Sequence, residues 1–498
     1  MILSTSWIPD AILFLLTLFA LLYFYATRKF NYWKNRNVVY QKPIPFFGNF
    51  KDVITLQKTI GNWLRDGYEA MKPHPYFGTF VFDEPYLVIK DPLLVKHVLV
   101  KDFQVFSDRT TATGEHNEVF RHFLFFMRNP QWTEWRRLLS PIFTSGKLKT
   151  AFPVIARVGE RFQEYLASHQ GELDAKEVAA KYSTDVIAKA FFGIEAHCFD
   201  DDNAIFRVAS RRIFDFNLRN GIVTTVYFSL QNLVKIFKID FTERWVTDYF
   251  TKCFMHAFDV REKQGLRVND FIDFLIDLKR KDTSGDFDIL KLKGAGMQFF
   301  LAGFETTSST ISFTLHELCL NRTIQDKVRS EILSNLEEHN GLTYEGVLNM
   351  KYLDMCIKET LRKYPVLPFL DRKCSEDYKL PGTDLTIEKG TNIYIPMFGL
   401  QYDEQYFPEP EKFDPDRFLD SKKCNANGLV YFPFGEGPRI CIGERIGLLS
   451  VKLGLISVLT KFEVERCRNT PDPVDFAPKS LVLQSKVGLP MTFKRLTS

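Results

Sequence analysis

The run Phe434-Gly435-Glu436-Gly437-Pro438-Arg439-Ile440-Cys441-Ile442-Gly443 constrains this chain more than any other stretch. Glycines at 435, 437 and 443 let a backbone pass close to something large and flat. An apolar stretch beginning Ile446-Gly447-Leu448-Leu449 follows, so the thiol of Cys441 stands just ahead of a helix start. First-turn N–H groups favour negative charge and make a nearby thiol easier to deprotonate. Arg439 offers a guanidinium fork that matches a carboxylate, and Phe434 adds an aromatic. The set suits a cysteine sulfur bound to a haem iron, with Arg439 free to meet a propionate. The plainer reading is a tight loop around a buried structural cysteine.

A chain of 498 residues has room for a large core. Hydrophobic residues make up 45% and charged residues 25%, as in ordinary globular proteins. The net charge of +4 gives no reason to expect a nucleic-acid partner. Phenylalanine is overused at 48 copies, which fits an aromatic core, an aromatic-lined apolar pocket, or both. The eight cysteines (198, 253, 319, 356, 374, 424, 441 and 467) form no C-x-x-C pair, and the nine histidines are scattered. Zinc spacing and a disulfide framework are therefore not expected, and a reduced, cytosol-facing protein is.

The N-terminus differs from the rest. Ala11 to Ala26 is an uncharged apolar run, with Asp10 before it and Arg28, Lys29, Lys34 and Arg36 after it. A cleaved signal peptide would carry its charges first, so the order favours an uncleaved signal-anchor with its C-terminal side in the cytoplasm. Sixteen residues make about 24 Å of helix, a little short of a bilayer core of about 30 Å. Residues 1–27 are read as the anchor, 28–50 as a basic, proline-containing linker around Pro43-Ile44-Pro45-Phe46-Phe47-Gly48, and 51–498 as the catalytic domain. Tyr76 to Ile89 reads as two strands around Asp83-Glu84-Pro85. Residues 151–349 are mostly helical in pattern, with a polar break at 279–288. Leu481–Leu483 and Met491–Phe493 flank Gly488-Leu489-Pro490 as a final small hairpin. The expected fold is mainly α with small β-sheets.

Three further constellations bear on chemistry. Ala302-Gly303-Phe304-Glu305-Thr306-Thr307 sits inside a long apolar stretch, where an acid and a hydroxyl are costly without a use or a partner. Gly303 and a back-bonding hydroxyl could notch the helix to hold dioxygen and water. Glu359 and Arg362 share a helix face at i, i+3. Trp132 and Arg136, at i, i+4, point the same way.

With F-G-x-G-x-R-x-C-x-G around Cys441, these motifs resemble the cytochrome P-450 superfamily across nearly the whole chain. The closest resemblance is to its microsomal, reductase-dependent group, especially insect detoxification members related to vertebrate drug-metabolising forms. The resemblance implies the P-450 fold, with a long central helix crossing a buried haem b. It implies Cys441 as axial ligand to the haem iron, Glu305 and Thr306 as a proton relay, and Trp132, Arg136, Arg372 and Arg439 as propionate partners, with Phe434 beside the haem. Glu359 and Arg362 would form a structural triad with Arg417 of Phe413-Asp414-Pro415-Asp416-Arg417-Phe418. The pocket candidates are Phe300, Ala302, Phe304, Leu370 and Val482, with the Phe103–Met127 loop, Val366–Leu370 and Leu481–Leu483. Three departures stand out: Gln401 where relatives often carry histidine, Asp416 for the commoner glutamate, and a sparser proline hinge.

The implied activity is insertion of one oxygen atom of O2 into a lipophilic xenobiotic, endogenous lipid or hormone. The chain has no G-x-G-x-x-G after a strand and no flavin motif, so NADPH would act through a separate diflavin reductase, with cytochrome b5 as a second donor. Arg137, Lys147, Lys149, Arg445 and Lys452 could form a basic docking face for it, or simply a solvated surface. The implied location is the endoplasmic reticulum membrane, facing the cytosol. The rival readings are a haem-thiolate isomerase or lyase, and a non-enzymatic membrane-tethered haem carrier or sensor.

Overall fold

The structure is a computed structural model that describes residues 7–169, 171–282, 288–420, 425 and 428–496. Cys424 and positions 283–287 of the polar break lie outside the described residues. The fold is mainly helical with three small sheets, as the motifs imply.

The central helix, Ile289–Leu320, organises the body. Asp288 starts it by accepting a hydrogen bond from the Lys291 N–H at 2.7 Å. Thirty-two residues give about 48 Å of helix, enough to cross the whole domain. It is apolar on nearly all sides, so it is buried on nearly all sides. It packs against the helices Ala175–Phe192, Glu444–Leu459 and Lys351–Lys363. Asp174 caps Ala175–Phe192, and Gly193 ends it in the left-handed region at φ +61°.

The described strands are β1 (Tyr76–Val81), β2 (Glu84–Ile89), β3 (Gly171–Asp174), β4 (Leu370–Lys373), β5 (Tyr378–Lys379), β6 (Thr386–Ile387), β7 (Asn392–Ile395), β8 (Phe462–Glu465) and β9 (Pro490–Arg495). The largest sheet has the order β1-β2-β7-β4, with only β2 and β7 parallel. The β1–β2 hairpin is the one read from Tyr76 to Ile89. The expected C-terminal hairpin does not form. β9 pairs with β3 and β8, whereas Leu481–Leu483 belongs to no strand. Asp174 takes the Leu489 N–H at 2.9 Å, and this draws the segment onto β3 rather than back on itself.

The N-terminal helix runs Trp7–Thr27, longer than the sixteen-residue apolar core, and none of its residues is buried. Twenty-one residues make about 32 Å, so the shortfall expected from the apolar run disappears. Its basic flank is tied to the body. Arg28 meets Asp83 at 3.1 Å and Lys29 meets Glu84 at 2.5 Å, both at the β1–β2 turn. In the linker, Gly48 (φ +62°) passes so close to β1 that a Cβ there would lie 2.5 Å from the Phe80 carbonyl oxygen. The seven described cysteines are unpaired.

Candidate functional site

The loop before Glu444–Leu459 is held by its own backbone. Gly435 and Gly437 take φ +77° and +73°, and a Cβ on Gly437 would lie 2.0 Å from the Leu99 carbonyl oxygen. The Cys441 N–H donates to the Phe434 carbonyl at 2.8 Å. The Gly443 N–H points back at the Cys441 sulfur. The sulfur lies deep in the body, yet its surface is accessible because it faces an internal cavity. Burial pushes the thiol pKa up, the Gly443 N–H and Arg136 opposing it. Cys441 precedes the first turn of the helix by three residues, so the Gly443 N–H and Arg136 rather than the helix start favour its thiolate. A coordinated cation would reverse the effect of burial.

The cavity measures about 210 Å3. Cys441, Phe434, Arg439, Trp132, Arg136, Ala302 and Thr306 all line it, so residues more than 300 positions apart meet at one void. Gly303 lines it too, and a Cβ there would collide with the Ile187 side chain at 2.5 Å. Thr306 donates its hydroxyl to the Ala302 carbonyl at 2.7 Å, the back-bonding that the notch reading requires.

One wall is strongly cationic. Arg439 donates to the carbonyls of Ser107 (2.6 Å), Leu124 (3.2 Å) and Met127 (2.9 Å). Its guanidinium lies 4.2 Å above the Trp132 ring. It is therefore anchored rather than free, and two of its five N–H donors remain. Arg372 is 1% exposed, and its Nε finds no partner. Asp371 is already engaged, accepting from Arg109 (3.1 Å) and from the Thr111 N–H (3.0 Å). Burial pushes Arg439 down to about 8 and Arg372 to about 9, and the charge of Arg109 adds to both. This wall has more buried positive charge than its carboxylates satisfy. A group bringing two carboxylates, as haem b does, fits it.

Several expected residues face elsewhere. Glu305 is 4% exposed but does not line the cavity. Its carboxylate pairs with Lys176 at 2.8 Å and accepts from Gln484 at 2.8 Å. One residue along a helix turns a side chain by about 100°, which carries Glu305 off the face that Thr306 occupies. Phe300 and Phe304 stack on each other and pack against Phe206, Phe250 and Phe214, away from the void. Leu370, the first residue of β4, is buried in a separate core cluster. Val482 lines a small cleft of about 20 Å3 with Gly61 and Phe369. The resemblance names these residues by motif, which does not fix the face each one presents.

Arg109 and Phe125 line the cavity from within the expected Phe103–Met127 loop, whereas Ile187 and Gln298 carried no sequence signal. The four come from a loop and two helices whose facing depends on tertiary packing. Gln298 is a buried amide in an apolar wall, with its Oε1 unpartnered.

Behind the site, Glu359 holds Arg362 through two bonds of 2.8 and 2.9 Å, and Arg417 approaches Glu359 at 3.4 Å. Arg362 also donates to the carbonyls of Gln401 (2.9 Å) and Pro410 (2.7 Å). Gln401 returns its amide to the carbonyls of Leu361 and Arg362 at 3.1 and 2.9 Å, closing the last turn of that helix. Of the five residues of the basic face, Lys452 is buried against Asp354 at 3.3 Å, and Lys149 pairs with Glu345 at 2.5 Å. Arg137 and Arg445 are exposed and Lys147 is partly buried.

A thiol facing a buried cavity, a cationic wall and a long helix along it are the parts of a haem-thiolate protein. The family model for cytochrome P450 matches residues 39–490. Cytochrome P450 6k1 of Blattella germanica is 40% identical over 512 residues, covering 98% of each chain. Cytochrome P450 6j1 of the same organism is 39% identical over 97% of each chain. Probable cytochrome P450 6w1 of Drosophila melanogaster is 35% identical, over 93% of this chain and 94% of its own. The chain belongs to the cytochrome P450 family, with insect relatives, and is a haem-thiolate monooxygenase that uses a redox partner and acts on lipophilic compounds.

Proposed function

We propose that the Cys441 sulfur would hold the haem iron and that Trp132, Arg136, Arg372, Arg439 and Arg109 would meet the haem propionates. The supporting observation is the single cavity that gathers Cys441, Thr306, Arg109, Arg136 and Arg439, with Arg372 buried and not itself lining it. Haem, when bound, supplies the activation of dioxygen. The Gly443 N–H tempers the donation of the Cys441 sulfur. Thr306 keeps its lone pairs for a water in the notch and moves a proton through its hydroxyl oxygen. Glu305 resupplies that proton only after releasing Lys176 and Gln484, so Lys176 sets how readily it does so. Phe125, Phe143 and Phe299 exclude bulk water and hold an apolar substrate. Glu359, Arg362 and Arg417 hold the backbone behind the site.

Electrons come from NADPH through a diflavin reductase that docks near Arg137, Lys147 and Arg445, with cytochrome b5 as a second donor. The exposed helix Trp7–Thr27 anchors the protein in the endoplasmic reticulum membrane with its catalytic body in the cytosol. The division at residues 27 and 50 follows that helix and the linker.

Purified protein, reductase and NADPH incubated with a panel of lipophiles test this reading. Substrate-dependent NADPH consumption with an oxygenated product is expected. Product formed without NADPH would favour an isomerase or lyase, and haem binding without any turnover would favour a carrier.

A further inference from the structure

A second cavity of about 870 Å3 lies across the Leu124–Met127 segment from the first. Leu124 and Phe125 line the thiol-bearing cavity, and Phe126 and Met127 line this one, so the two share a wall. The second cavity is cationic. Arg121, Arg128, Lys235, Lys238 and Lys291 line it with His116 and His122, against one carboxylate, Glu115. Arg121, Arg128, Lys235 and Lys238 form no ion pair with a described carboxylate. The nearby acids are engaged: Asp240 accepts from Asn117 at 3.3 Å, and Asp288 caps the central helix.

The crowding acts on neighbouring groups. Burial and then Arg121 push His122 below its ordinary value, and burial, then Arg128, with Lys235 adding, push Lys373 down. A concave wall of one charge sign focuses its field and concentrates counter-ions. Ala112, Phe126 and Met127 give the cavity an apolar share, and the lysine segment carries exposed apolar side chains. Ile236 and Phe237, each 69% exposed, stand between Lys235 and Lys238. Cationic groups beside exposed apolar groups suit a ligand with one anionic end and a hydrocarbon body.

We propose that this vestibule binds the anionic group of amphiphilic substrates, a carboxylate, phosphate or sulfate on a hydrocarbon chain. The word substrate rests on the monooxygenase reading; the binding does not.

The test uses the full-length haem-loaded enzyme in neutral phosphatidylcholine discs, with dodecanoate, dodecyl phosphate and dodecanol as probes in calorimetry. The two anions are expected to bind at least about tenfold more tightly than dodecanol at low salt, an advantage that shrinks as salt rises. Lys235→Gln with Lys238→Gln should remove the advantage and leave dodecanol binding unchanged, and the two Lys→Arg changes should restore it. Both side chains are exposed, and unchanged haem content reports an intact fold. Equal affinity for all three probes, or an advantage that survives the double change, overturns the proposal. So does a double change that abolishes binding to phosphatidylserine vesicles while dodecanoate keeps its advantage, because the cations would then serve a bilayer. Oxidation of dodecanol without anion preference would sink the vestibule alone. Anion preference without turnover of any probe would leave the vestibule standing and strike these amphiphiles as substrates.

Discussion

Thr306 and Glu305 are neighbours in sequence, yet one faces the cavity and the other a buried lysine. Thr306→Ala should retain haem and lose product formation by roughly tenfold to a thousandfold, with oxygen diverted to peroxide. Product and peroxide measured together check this, and unchanged product would remove Thr306 from the proton path. Lys90 gives a stability prediction with a definite sign. It is 5% exposed, donates to the carbonyls of Tyr68 and Met71 at 3.1 Å each, and is pushed down by burial to about 8. Its unfolded value is 10.5, so between these limits the unfolded chain binds more protons and stability rises with pH. At neutral pH the charged form costs roughly 3 kcal/mol. Denaturation of wild type and Lys90→Met at several pH values should show this slope only in the wild type. At this scale Cys441 was legible from the sequence because its neighbours repeat one pattern. Gln298 was not, because nothing local distinguishes it from any other amide on a long helix. The pairing of Glu305 with Lys176 and Gln484 was not legible, because a motif gives identity and spacing but not which neighbour a carboxylate turns toward.

The helix Lys351–Lys363 owes its end to two side chains outside the cavity. Gln401 satisfies the carbonyls of Leu361 and Arg362, and Arg362 reaches across to Pro410. Gln401→Leu should destabilise the protein by about 1–3 kcal/mol, since two buried carbonyls lose their donor. Glu359→Gln should cost more, about 3–5 kcal/mol, because Arg362 would be left buried without its counter-charge. Chemical denaturation with haem content followed in parallel separates the two, and equal small losses would mean the pair is not the framework proposed. The sequence carried the elements well: the β1–β2 hairpin and the long central helix stand where periodicity put them. It missed the partner of β9, because strand pairing depends on a contact with Asp174 more than 300 residues away.

Across the whole molecule, a cationic wall is assembled from the loop before Gln131–Leu139, the β4 strand and the cysteine loop. Such a wall is under-satisfied until a dianionic group arrives, so haem should raise the thermal midpoint well beyond what its apolar contacts alone give. Arg372→Leu should shrink that gain while leaving the haem-free protein at least as stable. Thermal melts of both forms with and without haem decide this, and a gain unaffected by Arg372→Leu would contradict it. Fold class was legible at this scale because the motifs occur in the order that the family's architecture needs, whereas the cavity's walls appear only once distant segments pack. The central claim is the bond between the Cys441 sulfur and the haem iron. Its most direct test is the absorption of the reduced, carbon monoxide-bound protein. Wild type should show the far-red-shifted Soret band of thiolate ligation, and Cys441→Ser should lack it while folding normally. The same shifted band in Cys441→Ser would place the ligand elsewhere.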